Sequence, residues 1–221
     1  MPSFTKIISK FMLNSLLGTN TIAMKNLSGA ISLQKDIELW EYLLVVHPTA
    51  EVHTKILHEK KKFETRYEQQ GDTKFYPHIT IANFWAKEAM EETFIRWIQN
   101  ICNLQKNFTV TLNNFSGFPS AGLYIRIQDE EPFKRLANAL KILDGFMQSN
   151  DCPQLKLVSN PRIIFVTGLS QCTFDDVIKD YSQKTFHESF KVEKLILLKR
   201  DAHMKCHLVN TFILPPLALF D

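Results

Sequence analysis

The sequence predicts a mixed α/β (α+β) fold in which each half of the chain supplies strands and two helices. Three observations carry that expectation. Short runs of β-branched and aromatic residues recur along the chain, separated by segments with helical spacing. The composition suits a full core, with 45% hydrophobic residues, 22% charged residues and 17 Phe among 221 residues. Two strand-like segments in different halves, "YPHITIANF" and "NPRIIFVTGL", both open on an aromatic or polar residue and Pro, then continue with apolar β-branched residues.

The elements follow in order. "LWEYLLVVHP" (39–48) is a near-continuous apolar run that stops at Pro48, as a buried strand does. Thr49 is a plausible N-cap for a helix on which Val52, Ile56, Phe63 and Tyr67 share one face. The charge run "HEKKKFE" (58–64) reads as its solvated side, and Gly71-Asp72 breaks it. "FYPHITIANF" (75–84) reads as the second strand. "KEAMEETFIRWIQNICNLQ" is a second helix, with Met90, Phe94, Trp97, Ile101 and Leu104 along one side. "FTVTLNNFSGF" alternates through Phe108, Val110 and Leu112, Pro119 and Gly122 turn the chain, and "LYIRIQ" alternates Leu123, Ile125 and Ile127 against Tyr124, Arg126 and Gln128.

Pro132 opens a third helix with Phe133, Leu136, Leu140, Leu143 and Met147 on its apolar face. Residues 149–160 are polar and loop-like, and "PRIIFVTGL" (161–169) is a strand. Thr173 caps a fourth helix, with Asp175 and Asp176 in the first turn where acids suit the helix dipole. "FKVEKLILLKR" and "HLVNTFILP" form a closing hairpin around Asp201-Ala202-His203.

Bulk properties narrow the function classes. With a net charge of +3 and a pI near 8.6, the chain is compatible with a phosphate-bearing ligand and short of the basicity of a strong nucleic-acid binder. The four cysteines, Cys102, Cys152, Cys172 and Cys206, form no C-x-x-C pair and no zinc spacing, so reduced thiols in the cytoplasm are expected. No apolar run is long enough to span a membrane. No Gly-rich phosphate loop, G-x-S-x-G elbow or H-E-x-x-H helix is present, and neither a metal nor a cofactor is expected. Residues 1–37 are set apart. Lys6, Lys10, Lys25 and Lys35 precede the first acidic residue, Asp36, and the apolar stretch "FMLNSLL" is brief for a signal or transit peptide. They are read as a tail that the domain, residues 38–221, does not need.

The candidate chemistry sits in the second strand. In a strand, residues i and i+2 project to one side, so His78 and Thr80 point together. An imidazole and a hydroxyl on one face can hold a phosphate oxygen from two directions, and the imidazole can move a proton near neutral pH. Taken alone, the spacing is equally that of a satisfied structural histidine.

"YPHITIANF", within this order of helices and strands, resembles the first signature of the two-histidine (2H) phosphoesterases, which include 2′-5′ RNA ligase-like proteins and cyclic nucleotide phosphodiesterases. The resemblance covers roughly residues 38–215 and includes "WEYLLVVHP", the "FSGFPS…LYIRI" strands and the "LILLKR…HLVNTFIL" hairpin. It implies two pseudo-symmetric lobes, each an antiparallel-rich sheet with two helices, around a central cleft into which each lobe sends one His-x-Thr/Ser motif. In active members one His is the general base, the other the general acid, and the hydroxyl residues hold the phosphate. The usual reaction opens a 2′,3′-cyclic phosphate or cleaves a related phosphodiester. Here the second motif departs: Arg162 stands where His is expected and Ile164 where Thr is expected. Arginine stays protonated at any working pH and cannot exchange the proton, but its guanidinium can grip phosphate oxygens.

The expected site is therefore His78 and Thr80 as catalytic residues, with Arg162 joining them in phosphate binding. Tyr76, Phe118, Tyr124 and Arg126 are further cleft candidates, each balanced by ordinary packing at a rim, turn or strand face. Lys74 is a weaker candidate for the cleft mouth. His203 and His207 sit four apart but lack an evident carboxylate partner for a metal, and His47, His53 and His58 read as surface or strand-end residues. The expected ligand is an RNA end or nucleotide phosphate, bound by a monomer with little or no turnover. The alternatives are a working hydrolase or ligase that uses His78 with Arg162 as electrostatic stabiliser, and an interaction protein with a vestigial cleft.

Overall fold

In the computed structural model, residues 38–68, 75–118 and 122–216 are described. Their elements run β1 (Leu39–Val46), α1 (Ala50–Arg66), β2 (Ile79–Lys87), α2 (Glu91–Leu104), β3 (Phe108–Phe118), β4 (Gly122–Ile127), α3 (Glu131–Leu140), α4 (Ile142–Ser149), β5 (Lys156–Leu157), β6 (Arg162–Thr167), α5 (Gln171–Ser182), β7 (His187–Val192), β8 (Lys194–Arg200) and β9 (Cys206–Ile213). Every strand pairing among them is antiparallel.

The strand order is β7-β3-β4-β6-β2-β1-β8-β9, with β5 beside β2. It divides at the centre, where β6 and β2 share the single registered pair Ile163–Ile79. One half, β7-β3-β4-β6, packs against α1 and α5, and the other, β2-β1-β8-β9, against α2 and α3. This is the expected architecture of two halves with helices on each.

Alternation explains which side is covered. Ile79, Ile163, Phe165, Ile125 and Leu123 are buried on the helix side. In one half, Phe63 of α1, Phe115 of β3, Phe165 of β6 and Tyr181 of α5 form a ring cluster at 4.9–5.8 Å. In the other, Tyr42, Phe84 and Phe94 pack at 4.9–5.4 Å. Each such side chain contributes roughly 1.5–3 kcal/mol on leaving water.

Several boundaries differ from expectation for identifiable reasons. The second strand starts at Ile79 rather than Phe75, because Pro77 has no N–H for the ladder, and it runs on to Lys87. On α2 the buried stripe is Phe94, Ile98 and Cys102, while Leu104 is 82% exposed. Trp97 turns sideways instead, onto Phe146 of α4 at 5.2 Å. The third expected helix is two, because at Lys141 the bonds shorten to Lys141 N–H to Asn138 O and Asp144 N–H to Lys141 O. Helix α5 is capped by Ser170, whose Oγ accepts the Thr173 N–H, so Asp175 and Asp176 fall beyond the first turn. "FKVEKLILLKR" breaks at Glu193 into parts of β7 and β8, which pair with β3 and β1. Lys156 and Leu157 of the expected loop pair with β2.

Lys60 also departs from its expected solvated face. It continues the buried Val52–Ile56 stripe, so its ammonium lies among the Phe63, Phe75 and Phe165 rings at 5.1–5.6 Å and donates to the Phe165 carbonyl at 3.0 Å. The tail 1–37, the Gly71-Asp72 break, Lys74 and Pro119 lie outside the described residues. No helix among the described residues is long and apolar enough to cross a membrane. The four cysteines are free, Cys102 and Cys152 buried, Cys172 and Cys206 exposed.

Candidate functional site

The Ile79–Ile163 pair organises the site. Both isoleucines are fully buried toward the helices. Their neighbours along each strand therefore project to the opposite face. Those neighbours are His78 and Thr80 on one strand and Arg162 and Ile164 on the other. Antiparallel register sets Thr80 across from Arg162 and His78 across from Ile164. The local two-fold of such a pair exchanges His78 with Arg162 and Thr80 with Ile164.

Strand β4 widens this face, because Arg126 pairs with Arg162 and Tyr124 with Ile164. The Arg162 guanidinium lies over the Phe118 ring at 4.9 Å and the Tyr124 ring at 5.0 Å. Those two rings are stacked at 5.7 Å. The aromatic pair holds the planar cation by its face and leaves its N–H edge free to point outward. Arg126 instead turns its Nε to the Asn113 carbonyl at 3.1 Å. A hollow of about 160 Å³ is bordered by Tyr124, Arg126, Glu130 and Arg162.

His78 precedes the first ladder residue, and its Nδ1 lies 2.8 Å from the Tyr76 carbonyl oxygen. A carbonyl can only accept, so Nδ1 carries the hydrogen and Nε2 presents a lone pair. Burial holds the His78 pKa below the usual histidine value; the Tyr76 carbonyl opposes that shift, and the positive Arg200 adds to it. The side chain is thus a neutral base at neutral pH.

Two contributors escaped the sequence reading. His47, just past the end of β1, is half-buried rather than superficial, and its ring lies 6.4 Å from that of His78. No local signal marks it: His47 joins this face only because Val45, two residues earlier, pairs with Thr80. Burial, reinforced by His78, His53 and Lys194, pushes the His47 pKa down to about 4. Its Nε2 is buried with no hydrogen-bond partner among the described residues. The second contributor is Arg200 of β8. It bonds Glu41 at 2.8 Å, and Asn83 bonds the other oxygen of the same carboxylate at 2.7 Å. Nothing local in "LILLKR" marks that residue, since its place depends on β8 pairing with β1 across the chain.

Tyr76 is 53% exposed at the rim, its ring 4.6 Å from His47 and 4.7 Å from His53. His207 lies apart and does have a carboxylate partner: it donates to Asp201 at 2.8 Å, closing the β8–β9 turn. No group of three or more metal-binding side chains occurs among the described residues.

The depressed His47 pKa carries a prediction. The unfolded chain takes up a proton near pH 6.5, whereas the folded chain does so only near 4. Stability contributed by neutral His47 is therefore intact above pH 6.5 and declines as pH falls toward 4. Denaturant unfolding measured from pH 7 to pH 4 should show that decline, and His47→Gln should flatten it. An unchanged pH slope in the variant would disprove the assignment.

Comparison with known proteins identifies the family and the fold. Residues 51–204 match the family described as the 2′-5′ RNA ligase superfamily. No curated protein matches the chain. Among solved structures, E. coli LigT complexed with 3′-AMP superposes with a TM-score of 0.60 at 16% identity, covering 80% of this chain and 99% of that one. A phosphoesterase superposes with a TM-score of 0.57 at 17% identity over 80% and 99%. TT0787 of Thermus thermophilus gives 0.56 at 13% identity over 80% and 98%. At such identities the likeness speaks to the fold. LigT has also been crystallised with phosphate and with ATP.

Proposed function

Because the chain belongs to the 2′-5′ RNA ligase superfamily, we propose that it binds the phosphate of an RNA end or nucleotide between His78, Thr80 and Arg162, with phosphodiesterase turnover reduced or absent. The observation that carries this reading is the Ile79–Ile163 pair, which brings the His78–Thr80 and Arg162–Ile164 flanks onto one face. The ligands of the LigT structures, 3′-AMP, phosphate and ATP, support the same ligand class here.

The division of labour follows from donor chemistry. Thr80 donates its hydroxyl to one phosphate oxygen. Arg162, supported by Phe118 and Tyr124, offers a two-pronged contact to others. His78 Nε2 can take a proton from an attacking water or hydroxyl. Breaking the P–O bond also requires a proton for the departing oxygen, and Arg162 holds its own too firmly to give it. Ile164 donates nothing. The site therefore recognises a phosphodiester end but lacks half of the proton relay. An active variant of this reading, with Arg162 stabilising the charge that develops on the phosphoryl oxygens, is favoured only by the Nδ1 bond that fixes His78 as a base. With no cysteine among disulfides, the proposed setting is the reducing cytoplasm and the working form a monomer without metal or cofactor.

The test uses calorimetric titration with a 3′-nucleotide and a turnover assay with a 2′,3′-cyclic nucleotide. Wild type should bind the 3′-nucleotide, and Arg162→Ala should weaken it by about tenfold to a hundredfold, the range for a hydrogen bond to a charged group, whereas His78→Ala, which removes only an acceptor, should change binding far less. Arg162→His combined with Ile164→Thr should gain hydrolysis of the cyclic substrate. Absence of binding by the wild-type protein would overturn the reading. Substantial wild-type turnover that disappears in His78→Ala would instead establish the active form.

A further inference from the structure

Strand β9 ends the strand order and, among the described residues, pairs with β8 alone. Alternate backbone N–H and C=O groups along its outer edge therefore have no ladder to join. Its sequence, CHLVNTFI, contains no Pro, Asp, Glu, Lys or Arg. Every residue thus keeps an N–H, and the one titratable imidazole, His207, is already engaged with Asp201 at 2.8 Å. Leu208 is 66% exposed and Ile213 61%, with Met204 at 65% in the turn before them. The other outer strand, β7, is guarded by charge: Glu188 is ion-paired to Lys55 at 2.9 Å and Lys191 to Glu193 at 3.0 Å. An uncharged, partly apolar edge of eight residues is the kind that a further strand joins.

Charge and shape select the occupant. A cation stands at each end of the edge. Lys205 immediately precedes β9, and Lys194 is registered opposite Ile213. Both are exposed, and neither has an ion-pair partner among the described residues. Two-fold antiparallel pairing of β9 with a second copy would set Lys205 of each chain beside Lys194 of the other, and like charges repel. Shape opposes self-pairing as well. Leu197 pairs with Asn210 and Leu198 with Leu208, so Val209 is a bulge that sharpens the local twist. Two rigid twisted edges fit each other poorly, whereas one flexible strand can follow the bend. Beyond Ile213 the edge runs out over a cavity of about 780 Å³ whose wall includes Lys194, Ile213 and Leu214. That space has room for an acidic side chain at the end of an added strand.

We propose that β9 docks an extended segment of a partner protein, which adds to the sheet as a further strand. Apolar and β-branched residues alternate along that segment, where they meet Leu208 and Ile213, and an acidic residue at each end faces Lys205 or Lys194. Backbone hydrogen bonds along the edge supply affinity, and the two end charges with the apolar side chains between them supply selectivity. Neither His78 nor Arg162 takes part, so the phosphate site and the docking edge are separate properties of the molecule.

The probe is a fluorescently labelled peptide of about ten residues, with Val and Thr alternating between a Glu pair at each end, titrated by anisotropy at low salt. Wild type should bind it saturably. Lys194→Glu combined with Lys205→Glu should weaken it by about tenfold, as two surface charges turn from attraction to repulsion. Both lysines are exposed, so the variant should fold, and circular dichroism checks that it does. A peptide with Pro at its centre should also bind about tenfold more weakly, because Pro removes a ladder donor. Amide hydrogen exchange on adding the parent peptide should slow in β9 and not in β7. No saturable binding at millimolar peptide, equal binding of the Pro peptide or by the charge-reversed variant, or protection away from β9 would overturn the proposal. A dimer of the protein alone, seen by light scattering and broken by Leu208→Lys, would assign the edge to a second copy and overturn it too.

Discussion

Gly122→Ala should destabilise the protein by about 3 kcal/mol or more and remove phosphate binding with it. Gly122 has φ of +126°, a conformation that L side chains rarely adopt. A methyl group there would stand 2.0 Å from the Val166 carbonyl oxygen and 2.7 Å from its carbon. Backbone on both sides is committed, because Gly122 begins the ladder in which β4 meets β6. Relief requires prising those strands apart, and β6 is the strand that carries Arg162. Urea unfolding and 3′-nucleotide titration on the same preparation would show the two losses together. A midpoint equal to wild type would mean that β4 does not approach Val166 so closely.

Phe165→Ala is the second large effect, about 3–5 kcal/mol of stability. Phe165 is fully buried, and its ring meets those of Phe63, Phe115 and Tyr181 within 5.0–5.8 Å. Truncation leaves a cavity among four elements, α1, β3, β6 and α5. It also strips an aromatic face from the Lys60 ammonium, which sits 5.6 Å from the ring. Phe165→Leu should recover a substantial part of the loss, since it refills most of the volume. Leu104→Ala, at a position 82% exposed, should shift the unfolding midpoint negligibly. An effect at Leu104 comparable with that at Phe165 would contradict the placement of the core.

Much of this fold could be read from local pattern. The strand alternation at Leu123, Ile125 and Ile127 and the helical face from Phe133 to Met147 are both buried as spaced. What failed were features decided by partners distant in sequence. Lys60 reads as solvent-facing in a charge run until the Phe165 carbonyl, 105 positions away, is seen to accept its hydrogen bond. Glu193 splits one apolar run because its two ends answer to different strands, β3 and β1. The site divides in the same way. That His78, Thr80 and Arg162 share a face was legible, because strand parity and a repeated Pro-led motif mark them. His47 and Arg200 were not, since a histidine before Pro48 and an arginine at the end of β8 gain their meaning only from register with β2 and β1.

The two halves of the sheet have one further consequence. β1, β2, β8 and β9 belong to one half and β3, β4, β6 and β7 to the other, yet the chain does not finish one before beginning the next. It lays down β1, visits the second half with α1, returns for β2 and α2, crosses again for β3 and β4, and closes the first half only with β8 and β9. The halves are thus interwoven rather than modular. A break anywhere between α1 and β7 leaves both short of a strand or helix. Such wiring couples the assembly of the cleft to completion of the whole chain, and folding must wait for contacts between its distant ends.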